Sequence, residues 1–116
     1  MGLTSEDIFG TGPREPLTLL PPGASKAVRL RWPSFGEWHA LALKHRKLEG
    51  KEPSADLICE TIATCVATAD GKRRMTNAEA SVLLESDSRL VMWLYVKCWD
   101  TVLKSNDDEI GGIEKN

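Results

Sequence analysis

The segment Arg89–Leu103, RLVMWLYVKCWDTVL, constrains this chain more than any other. Wound as an α-helix it is apolar on almost every side. Leu90, Val91, Leu94, Tyr95, Cys98 and Val102 fall on one face. Met92, Val96, Trp99 and Leu103 fall on a second, at i, i+4, i+7 and i+11. The only polar stripe is Lys97, Asp100 and Lys104, with Trp93 at its head. A helix that is apolar all round must be buried on all sides or shared with a partner. A chain of 116 residues is the length of one domain, and a domain near this size buries roughly two thirds of its unfolded surface. It can hardly wrap one helix completely. The sequence therefore points to association, self-association included, before it points to chemistry. Met92, Trp93, Val96, Trp99 and Leu103 are the residues expected to make the contact.

Composition narrows the partners. A formal net charge of -2 argues against a generally basic nucleic-acid binder. The charge is unevenly spread, however. Segment 26–51 carries seven Lys or Arg against two Glu, and segment 52–70 carries four acids with no Lys or Arg. Complementary faces within one fold account for this, and the alternative is a basic contact site for an acidic partner. Cys59, Cys65 and Cys98 form no CxxC pair, and their odd number reads as reduced, structural thiols of a cytoplasmic protein. The stretch MGLTSEDIFGTG has neither a basic start nor an apolar centre, so no secretion signal is expected. The longest unbroken apolar run, starting at Leu90, is far too short to span a membrane.

The order of elements follows from punctuation and period. Residues 1–16 are polar and rich in Gly and Pro, and are expected to form a flexible arm. Leu17–Leu20 and Ala27–Trp32 flank Pro21-Pro22-Gly23, which predicts a β-hairpin over 17–32 with a loop of about six residues. Val28, Leu30 and Trp32 alternate with Ala27, Arg29 and Arg31, the period of a half-buried strand. Ser34 and Glu37 make a capping box that opens a helix over 34–49, stopped by Gly50. A second helix is expected over 54–69, with Asp56 in its first turn and Ile58, Ile62, Cys65, Val66 and Ala69 on its apolar face. Asp70-Gly71 breaks it. Thr76 and Glu79 cap a short helix over 77–85, and Ser86, Asp87 or Ser88 caps the apolar helix over 88–104. SNDDEIGGIEKN, 105–116, is expected to be a flexible acidic tail. The fold class is thus α+β: an N-terminal β-hairpin followed by a mostly α-helical bundle of about four helices, one domain over 17–104.

Motifs for catalysis and ligation are sparse. His39 and His45 lie six residues apart, roughly 240° around a helix, and cannot clasp one metal. His45 falls on an apolar stripe and Cys98 on an apolar face, so both read as packed side chains. Asp70-Gly71 is followed by Lys72, Arg73 and Arg74, which do not suit a calcium loop. No GxSxG, P-loop or GxGxxG occurs. No cofactor, metal or enzymatic role is expected. The alternative is a helical regulator that binds nucleic acid through Arg73, Arg74 and the basic stretch KHRK at 44–47. The short helix over 77–85 carries Glu79 and Glu85, which weighs against it as a reader of DNA.

Three stretches carry a family resemblance. LTLLPPGASKAVRLRWPSFGEWHALAL is similar to the strand, P-x-G turn, V-x-V-R strand and following helix of the tail assembly chaperones of long-tailed bacteriophages. DLICETIATCVATADGKRRMTNAEASVLLESDS resembles their helix, D-G-x-x-x-(F/M)-T turn and short acidic helix, and LVMWLYVKCWDTVLKSND their last helix. The resemblance covers about residues 17–107. Ala69 departs from it where an acidic residue often precedes Asp70-Gly71, and Met75 stands where an aromatic is common. The resemblance implies a non-enzymatic protein of the bacterial cytoplasm, phage- or prophage-encoded. Such a protein coats the helical tape measure protein, keeps it soluble until the tail tube polymerises, and is absent from the finished virion. It implies the tail tube protein as a further partner, reached through a longer, frameshifted form.

Overall fold

The computed structural model describes residues 2–10 and 15–103. The tail expected over 105–116, and part of the arm, lie outside the described residues. The architecture is α+β, with a three-stranded antiparallel sheet packed on helices. The arm contains a short helix that its polar composition did not announce. α1 (Ser5–Phe9) is closed by a reciprocal Thr4/Asp7 capping box and by Gly10 at φ 73°.

The hairpin forms as expected but with shorter strands. β1 (Leu17–Leu19) pairs with β2 (Val28–Leu30) in the register Leu17↔Leu30, Thr18↔Arg29, Leu19↔Val28. The period of two is plain in β2, where Leu30 is fully buried and Arg29 is exposed. Trp32 anchors the strand's end by donating from its indole to the Glu15 carbonyl at 3.2 Å.

α2 (Phe35–Arg46) opens on the predicted capping box: Ser34 accepts from the Glu37 N–H, and Glu37 accepts from the Ser34 N–H. The helix ends before the predicted boundary, in a turn with Glu49 at φ 51° and Gly50 at φ 85°. Its inner face is Trp38, Leu41 and Ala42.

α3 (Ala55–Cys65) is the centre of the molecule. Leu57, Cys59 and every residue from Thr61 to Cys65 are buried. Two threonines inside a core would ordinarily cost hydrogen bonds. Here the Thr61 hydroxyl donates to the Leu57 carbonyl at 2.7 Å and the Thr64 hydroxyl to the Glu60 carbonyl at 2.8 Å.

The sequence expected this helix to run to 69. Instead it stops at Cys65 and becomes β3 (Val66–Ala67), which pairs antiparallel with β2. The Arg31 N–H reaches the Cys65 carbonyl at 2.7 Å. The β-branched residues Val66 and Thr68 favour extended backbone, and the unpaired side of β2 supplies the partner. The chain then turns at Thr68–Gly71, where Gly71 takes φ 84°, and Arg74 donates back to the Val66 carbonyl at 3.0 Å.

The Thr76/Glu79 box forms, but the element it starts is a 3-10 helix, Glu79–Glu85, anchored by buried Ala80 on Cys59 and Ala63. α4 (Ser88–Lys97) begins at Asp87, whose carboxylate accepts from the Arg89 N–H. It does not continue as an α-helix. Residues Cys98–Leu103 form a π-helical turn.

The Arg31–Glu37 pair, 2.5 Å apart, ties the end of the hairpin to the start of α2. Partial burial pushes the Glu37 carboxyl up, but its bonds to Arg31 and Ser34 outweigh this and leave it below its ordinary value of 4.5. A depressed carboxylate stabilises the fold fully above its unfolded value, and the contribution disappears as pH falls through the folded value. Unfolding titrations should therefore show stability lost as pH drops below about 4.5. Glu37→Gln should flatten that part of the profile while lowering stability at neutral pH. An unchanged acid limb in the variant would place the loss elsewhere.

Candidate functional site

Five residues were expected to make partner contact: Met92, Trp93, Val96, Trp99 and Leu103. The structure does not bring them to one surface. Val91, Leu94 and Tyr95 of α4 pack against the core, which leaves the opposite side of the helix outward. Met92 and Val96, four residues apart, stand there 43% and 46% exposed. They form a short apolar strip that nothing among the described residues covers.

Trp93 is half-buried and turns toward the hairpin. It lines a cleft of ≈ 460 Å³ with Pro22 and Gly23 of the β1–β2 loop and with Asp87, Arg89 and Leu90. The Lys97 ammonium lies 5.8 Å from its ring centroid, within cation–π range.

Leu103 is only 1% exposed and belongs to the core. The helical wheel placed it beside Met92, Val96 and Trp99 by assuming one pitch through residue 103. The π turn replaces i→i−4 bonding with i→i−5 bonding and so adds a residue to the ring. Leu103 thereby joins Cys98 and Val102, already on the inward face of the wheel, in the interior. The Leu103 carbonyl then accepts from the Trp38 indole at 3.1 Å in a buried bond across the two helices. Leu103 therefore holds the site's scaffold: it edges the groove beside Trp99 but, enclosed in the core, offers a partner almost no surface.

Trp99 is the hinge between core and surface. Its ring lies 4.4 Å, centroid to centroid, from His45 on α2. His45 is packed, as its place on the apolar stripe implied. Its Nδ1 is 2.8 Å from the Leu41 carbonyl and its Nε2 is 3.0 Å from the Tyr95 hydroxyl. A carbonyl can only accept, so Nδ1 carries the proton and Nε2 accepts from Tyr95 in the neutral ring. Burial raises the Tyr95 phenol above its ordinary pKa and keeps it a donor.

This aromatic group floors a groove between α2 and the last helix. One part, ≈ 200 Å³, is walled by Trp38, Ala42, Arg46 and the edge of Leu103. The other, ≈ 350 Å³, is walled by Leu48, Tyr95 and Val96. His45 and Trp99 line both parts, and the second part borders the Met92–Val96 strip at Val96. His45, Tyr95 and Leu48 were not among the expected contact residues. Their signal was the shared apolar stripe of α2, which periodicity assigned to core packing alone.

The three cysteines are free, buried thiols. A hydrogen bond to Cys65, followed by burial, holds the Cys98 thiol far above its ordinary range, and burial also raises Cys59. None has the electropositive, open setting of a reactive thiolate. Among the described residues no group of three or more His, Cys, Asp or Glu could hold a metal ion, and no helix is long and apolar enough to cross a membrane.

No protein-family model matches this chain, and searches of curated proteins and of solved structures gave no match.

Truncating the core and the surface should give opposite results. Leu103→Ala should cost about 2–5 kcal/mol of unfolding free energy, as a large-to-small change in a packed interior does. The double variant Met92→Ser, Val96→Ser should stay within roughly 1 kcal/mol of the parent. Urea unfolding separates them, and a cooperative loss of structure in the double variant would make that face core. Tyr95→Phe should cost about 0.5–1.5 kcal/mol through the orphaned His45 Nε2, read in the same titration.

Proposed function

We propose that this chain is a non-enzymatic tail assembly chaperone of a long-tailed bacteriophage or prophage. It coats the helical tape measure protein in the host cytoplasm and keeps it soluble until the tail tube polymerises. The observation that carries the reading is the uncovered Met92–Val96 strip of α4, which borders the Trp99 groove at Val96. The sequence resemblance over about residues 17–107 supports it from a separate direction.

The physics of coating suits such a face. An apolar stripe on a client helix is recognised by anchors at helical spacing laid against a groove. A strip of two half-exposed side chains gives a weak single contact. Weak contacts repeated along a long client add through multivalency yet release one by one when a competing lattice grows. The same face is available to a second copy, so self-association through it and client binding are mutually exclusive.

The nucleic-acid reading has less to stand on. Arg73 is occupied by the Ala63 carbonyl and Asn77, Lys44 is paired with Glu60, and His45 is stacked inside the groove. Within KHRK only Arg46 and Lys47 remain exposed without an ion pair among the described residues, and Arg74, the other exposed cation of this reading, lies on an aliphatic pocket beside the sheet.

Co-expression of the tagged chain with segments of the long helical protein encoded nearby, followed by pull-down and mass determination, tests the proposal. A soluble complex with several copies per client is expected, and Met92→Ser, Val96→Ser should abolish it while the variant stays folded. A clean monomer with no complex would overturn the coating role.

A further inference from the structure

A second surface, away from the Met92–Val96 strip, has a different chemistry. Between the sheet and the 3-10 helix lies a pocket of ≈ 280 Å³. Its floor is Ile62, Val66 and Ala67, all buried, and its walls are Met75, Leu83 and Leu94. Three cations stand at its rim: Lys26 before β2, Arg29 within β2, and Arg74 after the Thr68–Gly71 turn. All three side chains are exposed, and none has an ion-pair partner among the described residues. No acidic residue lines the pocket.

Arg46, Lys47 and Lys51 are likewise exposed without an ion pair among the described residues, but only Lys26, Arg29 and Arg74 gather around this one apolar depression. Arg31, Lys44, Lys72 and Arg89 each face a carboxylate, and Arg73 is bound to backbone and Asn77. Three like charges around one apolar depression repel one another and are relieved by an anion that also fills the depression.

We propose that this pocket is a docking site for an acidic polypeptide segment that inserts one apolar side chain between the carboxylates it presents to Lys26, Arg29 and Arg74. Charge complementarity selects the acidic flanks. The lining selects the anchor: the floor and walls are aliphatic, and ≈ 280 Å³, just below the roughly 300–1,000 Å³ of small-molecule pockets, leaves ample room for one apolar side chain. Single-stranded nucleic acid would want an aromatic platform for its bases, and no aromatic residue lines the pocket. The site does not depend on the coating role, since it shares no residue with the Met92–Val96 strip or the Trp99 groove.

The test is fluorescence anisotropy with the whole chain and three labelled probes: the peptide DDELLDDE, its control DDESSDDE, and an oligothymidylate of matched charge. DDELLDDE should bind at least roughly tenfold more tightly than either of the others at the same salt concentration. Arg29→Gln with Arg74→Gln should weaken it by at least roughly tenfold, while Lys47→Gln leaves it unchanged. Far-ultraviolet circular dichroism checks that the variants stay folded, as substitutions of exposed, unpaired side chains should. Equal binding of DDESSDDE or of the oligothymidylate would show only a basic patch and overturn the proposal. No binding of DDELLDDE up to about 1 mM, or an equal loss in Lys47→Gln, would also overturn it.

Discussion

Burial of α3 is the constraint on which the rest of the structure depends. Ile62, Ala63 and Cys65 are completely enclosed, and α2, α4, the 3-10 helix and the π turn are all laid against this one helix. A helix can be enclosed on that scale only if its polar groups find partners within it. Thr61 and Thr64 do so by bonding back to carbonyls one turn earlier. Because the helix runs directly into β3, the sheet is fastened to the helical layer by covalent continuity as well as by packing. The hairpin, a marginal element alone, thereby acquires both a third strand and an apolar surface to cover it.

The π turn at Cys98–Leu103 is the second decisive device. It lets α4 ride on the surface with one face outward and still deliver Cys98, Val102 and Leu103 to the interior. The indole of Trp38 locks the turn through the Leu103 carbonyl, and the His45 ring, fixed by Leu41 and Tyr95, sets the position of Trp99. The groove between α2 and the last helix follows from these two ties. The His45, Tyr95 and Trp38 polar atoms at its floor are hydrogen-bonded, whereas its Val96 edge is open. A pre-formed floor beside an open apolar strip lowers the ordering cost of receiving a helical partner.

The two surfaces divide the chemistry of association between them. The α4 strip and groove offer an aromatic and aliphatic floor edged by charges of both signs, Arg46, Lys51 and Asp100, and the pocket beside the sheet offers a small apolar seat with three unpaired cations and no acid. They meet at opposite sides of α4, through Leu94 and through Met92 and Val96, and share no residue, so a helical client and an acidic segment do not compete for the same side chains. Such a division fits a protein whose proposed task is to hold one partner reversibly while assembly proceeds around it.

Much of the scaffold was legible in the residues themselves. The Ser34/Glu37 and Thr76/Glu79 boxes, the Pro-Pro-Gly loop and the alternation of Val28, Arg29 and Leu30 act over a few residues, and the structure places elements where they fall. Periodicity also identified His45 and Cys98 as packed groups. The stop of α3 at Cys65 was not legible, because the free side of β2 that captures Val66 lies far away in sequence. Nor was the fate of Leu103 legible, because a wheel drawn at constant pitch cannot register a π turn imposed by the fit of Trp38 and the core. The apolar abundance of Arg89–Leu103 was determined by sequence alone, and with it the need for burial or company. Which of its residues are buried and which remain open was decided only by the tertiary structure. Local caps and periods set where a helix begins and how its faces divide, but α3, not α4, could be enclosed by its neighbours, and the remaining apolar surface of α4 was left outside.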